Sequence, residues 1–194
     1  MWSGIPWCSA SCGRTRNTTR GSSPCCRNLE TRQPLPIEIQ HPRPPRVNLP
    51  ALRRFLARAQ SAAAVRGEVA VRLVDDAAIC RLNRQFRHHD RPTDVLSFPT
   101  SPWPLPPGLP ARAGDLAISL DTAARQARQL GHSPDTELRV LLLHGLLHLA
   151  GMDHETDGGE MLERELHLRR RFRLPAGLIE RSRQAQDRGE WRRC

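Results

Sequence analysis

Lysine and tyrosine are missing from this chain altogether, and aromatic residues make up only 4% of its 194 positions. Without lysine, all the basic surface is guanidinium, planar and charged at any working pH. Without tyrosine, no phenol hydroxyl is available for catalysis or binding. So few aromatic rings leave few platforms on which bases can stack, so binding to any single-stranded nucleic acid would be largely electrostatic. No stretch approaches the ~18 apolar residues that a membrane span needs, and no apolar run follows the early charges as it does in a secretory signal. No membrane association is expected.

What charge there is lies at the ends. Of the formal net charge of +10, residues 1–30 carry four Arg against one Glu, and residues 169–194 carry nine Arg against three acids. The middle is therefore close to neutral. Basic ends suit an anionic partner such as RNA, and equally describe a solvated tail. Residues 1–29 hold no acid and are rich in Arg, Ser and Thr, which also describes an organellar transit peptide. Gly, Pro and Cys interrupt any amphipathic helix there, so residues 1–35 read as a disordered or non-native extension. The four early cysteines are spaced C-x3-C-x12-C-C, not a regular zinc pattern. Cys80 alone lies in the middle, which fits a reducing compartment.

From residue 36 the pattern becomes that of a folded domain. Residues 36–41 alternate apolar and polar as an edge strand does, and Asn48 can cap a helix that ends near Gly67. Residues 68–74 alternate again and are β-branched, a second strand. Asp75 and Asp76 open a helix with Ile79, Leu82 and Phe86 on one side. Residues 93–98 form a third strand, residues 101–114 a proline-rich surface loop, and residues 115–119 a fourth strand. Asp121 can cap the next helix, ending near Gly131. Ser133-Pro134 starts a helix to Leu149 that is apolar nearly all round from Val140, which marks it as the buried central helix. A further helix spans about 158–172, and a last amphipathic piece runs past Leu178. The expectation is an α+β (α/β-like) single domain over residues 36–172, with a small mixed four-stranded sheet packed against several helices and a basic tail over 173–194.

The central helix carries the strongest chemical signal. His144, His148 and His154 are spaced H-x3-H-x5-H. Residues four apart lie roughly 40° apart around a helix axis, so His144 and His148 can aim at one spot. Gly151 can end the helix and turn the chain so that His154 reaches the same spot. An apolar helix gains nothing by burying two imidazoles unless something binds them. Three neutral imidazoles with a fourth position open to solvent are the catalytic kind of zinc site, placed here at the end of the central helix. These histidines fall in the frame of the zinc-protease pattern, but its general base, a Glu, is replaced by Gly145. A peptidase would need another base, for which Glu155 is the neighbour at hand.

A second constellation lies at residues 83–99, where three Arg and two His fall in a helix end and polar loop ahead of a strand. Arginine forks onto phosphate oxygens, and His88 or His89 can titrate near neutrality; a solvated turn would have the same composition.

Together, His144-Gly145-x-x-His148-Leu149-x-Gly151-x-Asp153-His154, Arg87-x-x-Asp90-x-Pro92-Thr93-Asp94-Val95-Leu96-Ser97-Phe98-Pro99 and the Gly114–Ser119 strand resemble the YbeY endoribonuclease family of ribosomal RNA maturation factors, over about residues 36–170. The resemblance implies a single-strand-specific, zinc-dependent endoribonuclease of the bacterial cytoplasm. Its implied roles are 16S rRNA 3′-end maturation and ribosome quality control. Its implied partners are single-stranded RNA, 16S rRNA and the ribosome or its small subunit, with no DNA expected. It carries one Zn2+ onto His144, His148 and His154, and a catalytic arginine onto Arg87. Asp153 is a candidate to orient a ligand, or to cap the turn. His88 and His89 are candidates to contact substrate or to protonate the leaving oxygen. The family often has Tyr where Phe86 and Met152 stand; both positions stay large and apolar, so packing is expected to survive. A non-catalytic zinc-braced ribosome assembly factor and a zinc peptidase are the competing classes.

Overall fold

The computed structural model describes residues 37–100 and 111–181. The leader, most of the proline-rich segment and the arginine-rich end beyond 181 lie outside them.

Four strands form one sheet: β1 (Ile37–Gln40), β2 (Glu68–Val74), β3 (Val95–Pro99) and β4 (Arg112–Ser119). Their order is β1-β2-β4-β3. β1, β2 and β4 run parallel, and β3 closes the edge antiparallel to β4. Among the described residues the helices around it are α1 (Leu49–Ala62), α2 (Asp76–Arg87), α3 (Leu120–Leu130), α4 (Pro134–Leu149) and α5 (Glu160–Phe172), and residues 178–181 are helical as well. This is the α+β domain with a small mixed four-stranded sheet that the sequence pattern predicts. No helix among the described residues is long and apolar enough to cross a membrane.

Local chemistry accounts for most boundaries. Asn48, Asp75 and Ser133 each cap a helix by accepting a backbone N–H bond, as expected. Three boundaries differ from expectation. α1 ends at Ala62 rather than near Gly67, because Ala64 turns left-handed (φ 59°) and Val65 dives into the core. β4 begins at Arg112, not Asp115: the pairing with β2 shifts between Glu68 and Val69, so that β4 carries an extra residue, Ala113, before Gly114. Gly114 (φ +151°) is needed there, since a Cβ would stand 2.7 Å from Leu149 Cδ2 and 3.1 Å from Pro99 Cα. The α3 cap is Ser119, whose hydroxyl accepts from Thr122 N. Asp121 instead faces the strand ends, accepting from Asp76 N (3.0 Å) and bonding His41 Nε2 (3.1 Å).

α4 is the axle. Leu138, Leu141, Leu142, Leu146 and Leu147 are fully buried, packed between the sheet and α1, α3 and α5. α2 covers the opposite face through a small cluster of Val74, Ile79, Leu96 and Ala117. The chain beyond α5 stays packed: Ile179 is buried, Arg181 forks onto the buried Glu137 of α4 at 2.7 and 3.1 Å, and Arg169 holds the Pro175 carbonyl. The C-terminal segment to residue 181 is thus tied to both ends of the helical layer.

Candidate metal centre and its cavity

α4 presents His144 and His148 from its last two turns. Ala150 N–H and Met152 N–H bond back to Leu146 and Leu147, Gly151 takes φ +87°, and the chain turns. That turn brings His154 against the other two: the three ring centroids lie 4.8 to 5.3 Å apart. One ring nitrogen from each residue lies within 4.8 Å of the others. The Nε2 atoms of His144 and His148 face each other at 3.2 Å.

Two of the three rings are also engaged from behind. His144 Nδ1 lies 3.1 Å from Glu165 Oε1, and the Met152 backbone bonds the His148 ring. Burial, and then the neighbouring His144 and His154, lower the pKa of His148 to about 4. His148 is therefore neutral at pH 7, with a lone pair free. A set of three converging ring nitrogens, with two of the rings held from outside, suits a borderline-soft divalent ion such as zinc. These residues fit a metal ion, though imidazole also suits nickel, copper and iron.

The histidines open into a cavity of about 450 Å³ whose wall includes Asn83, Arg87, His89, Arg91, Ser97 and Glu155. Leu178 of the C-terminal segment also lines it. The loop carrying the arginines is pinned by Asn83. Its side chain donates to the Arg91 carbonyl (2.8 Å), and its own carbonyl accepts from the N–H groups of His88 and His89. Arg84 pairs with Asp90 (3.5 Å) on the outside. Among the described residues, the Arg87 and Arg91 side chains have no carboxylate partner.

The structure separates the other candidates. Arg87 and His89 are on the cavity wall with the three histidines. His88 is not; it ends α2 in the left-handed conformation (φ 59°), an exposed C-cap. Replacing it by glycine should relieve that backbone and stabilise the fold by about 0.5–1 kcal/mol, without loss of activity. Denaturant midpoints check this, and a destabilised His88→Gly would mean that the imidazole has a role of its own. Asp153 caps the turn: its carboxylate accepts from Glu155 N (3.1 Å), a bond that holds its carboxyl below the usual range. The carboxylate that meets a ring is Glu165, 21 residues after His144 and on another helix. No spacing rule points to it; an acid falling on the apolar side of α5 between Met161 and Leu168 was the available signal. Asn83 and Arg91 also went unassigned in sequence.

Gly145 has a steric reason. A Cβ there would stand 2.8 Å from Leu116 Cδ2 and 3.3 Å from Ser97 Oγ, so the position faces the sheet and leaves no room for a peptidase glutamate. Phe86 and Met152 serve packing, as expected: Phe86 stacks edge-on against Phe98 at 5.1 Å and Met152 packs on the main core.

Comparison with known proteins agrees with this picture. The family model described as Endoribonuclease YbeY matches residues 46–173. Relatives of that name include one from Koribacter versatilis (strain Ellin345), 51% identical over 132 residues that cover 68% of this chain and 82% of that protein. Another, from Solibacter usitatus (strain Ellin6076), is 46% identical over 138 residues, covering 71% and 88%. A solution structure of TM1509 from Thermotoga maritima aligns at 29% identity with a TM-score of 0.44, covering 67% of this chain and 85% of that one. With two thirds of its length inside the family model and relatives this similar, the chain belongs to the YbeY endoribonuclease family.

Proposed function

We propose that this protein is a metal-dependent endoribonuclease that cuts single-stranded RNA, with one Zn2+ held by His144, His148 and His154. The supporting observation is the shared cavity: three converging imidazoles and two arginines with no carboxylate partner among the described residues line the same space. Relatives bearing the name Endoribonuclease YbeY support the reaction class.

Held by His144, His148 and His154, a zinc ion would supply Lewis acidity towards water and a phosphoryl oxygen near neutral pH. The protein's own part is positioning and charge. Arg87 and Arg91 bind the scissile and neighbouring phosphates and offset charge as it builds at phosphorus. Pinning by Asn83 sets their reach before substrate arrives. Beside the three histidines, the titratable wall residues able to carry a proton to or from the leaving oxygen are His89, Asp94 and Glu155. Single strands suit an open cavity beside a loop, since their bases can splay away from the backbone. The site lies in a segment of the chain whose resemblance favours 16S rRNA 3′-end maturation and ribosome quality control in the cytoplasm, on the small subunit, and we extend the proposal to that role.

The test is metal analysis of the purified full chain beside cleavage of single-stranded, duplex and DNA oligonucleotides, before and after chelation. The expected result is one zinc per chain, cleavage of single-stranded RNA, and loss of cleavage on chelation that zinc restores. Cleavage untouched by complete metal removal would sink the proposal. Product ends then separate two routes: a 2′,3′-cyclic phosphate beside a 5′-hydroxyl means attack by the ribose hydroxyl, and a 3′-hydroxyl beside a 5′-phosphate means attack by water.

A further inference from the structure

Behind the three histidines lies a carboxylate with an unusual setting. Glu165 is 1% exposed, and its Oε1 meets His144 Nδ1 at 3.1 Å. Its other oxygen, Oε2, is buried with no hydrogen-bond partner among the described residues. Proteins rarely leave a buried carboxylate oxygen unsatisfied without a functional reason. The cover over it is Gly177: a Cβ there would stand 2.5 Å from Glu165 Cδ and 2.9 Å from Oε1. Gly177 in turn belongs to the C-terminal segment that Arg169 and Arg181 fasten to α4 and α5.

We propose that Glu165, sealed in place by Gly177, is a positioning residue that fixes His144 as the Nδ1–H tautomer and so presents its Nε2 lone pair to the metal. The inference rests on the reading of the three histidines as metal ligands. An ionised carboxylate has only acceptors, so a neutral His144 facing it must place its single proton on Nδ1. Nε2, 3.2 Å from His148 Nε2, is then left as the donor atom. The carboxylate behind the ring also balances part of the charge of a cation bound in front. A purely structural glutamate would do neither. Gly177 lies outside the matched 46–173 segment, and through Glu165 the C-terminal segment bears on the metal centre.

The test uses the full chain stripped by chelator and titrated with Co2+, followed by its visible absorption and by calorimetry. Glu165→Gln keeps the size but no longer dictates the tautomer, because its amide can accept or donate. Gly177→Ala keeps Glu165 and all three ligands, but displaces the carboxylate. Both should bind Co2+ roughly 10- to 100-fold more weakly than wild type, with an altered cobalt spectrum. Nitrogen-15 NMR of the metal-free wild type should show His144 protonated on Nδ1, and this readout needs no variant to fold. Wild-type affinity and spectrum in both variants, or an Nε2–H tautomer in the wild type, would overturn the inference alone. A wild-type chain that takes up no cobalt would overturn the metal reading and this inference with it.

Discussion

His148→Ala is expected to leave a protein that folds, holds almost no zinc and no longer cuts RNA. The ring comes from the last turn of α4 and is only partly buried, so its loss opens space towards solvent rather than a void in the core. Two imidazoles cannot hold the ion as three do. Moving an outer-shell partner already costs about 10- to 100-fold in affinity, so deleting a ligand should cost more than that. The readout that separates this from general damage is thermal stability with and without metal. At free zinc near one hundred times Kd, binding stabilises the native wild type by about 2.7 kcal/mol. For a domain of this size that is roughly 8 °C in melting temperature. The metal-free variant should melt within a few degrees of the metal-free wild type, and added zinc should not move it. If His148→Ala keeps zinc at one per chain, the ion does not sit between these three rings.

The histidines could be read from the sequence because their geometry is local. An i, i+4 pair on an apolar helix followed by a glycine turn specifies its own convergence, and residues 144–154 need no distant part of the chain to form it. Arg87 was legible for a different reason: a long ordered match to a family carried it, whereas its charge alone also fits a solvated turn. Glu165 was not legible, because which residue of α5 meets His144 depends on how two helices pack. Gly177 was hidden in the same way. His88 and His89 look interchangeable in sequence, yet one left-handed residue at the end of α2 aims His89 into the cavity and leaves His88 outside. At the level of the fold, element types followed from periodicity and caps. The start of β4 did not, because a bulge and a glycine held by close approach of Pro99 and Leu149 read as loop. Gly145 shows the converse. Its departure from the protease frame was visible at once, but only packing against Leu116 and Ser97 explains why no acid could replace it.

Arg87→Ala is expected to lower kcat/KM on single-stranded RNA by roughly 10²- to 10³-fold, the range for removing one pre-placed donor from a developing charge. Exposure of Arg87 on the cavity wall, where water screens it, puts the effect at the lower end of that range. Zinc content and melting temperature should stay at wild-type values, since the Arg87 side chain makes no hydrogen bond or ion pair with the three histidines or Glu165 and has no carboxylate partner among the described residues. Arg87→Lys should recover only part of the loss, because an ammonium restores the charge but not the planar fork that two phosphate oxygens can share. The split between kinetic constants says where the guanidinium acts. A fall in kcat at constant KM places it on charge that appears only as the phosphodiester breaks; a rise in KM alone makes it a substrate anchor. The same variant decides between an enzyme and a zinc-braced assembly factor. If RNA turnover by Arg87→Ala equals that of wild type, the cavity is not where RNA is cut, and the metal centre braces the fold instead.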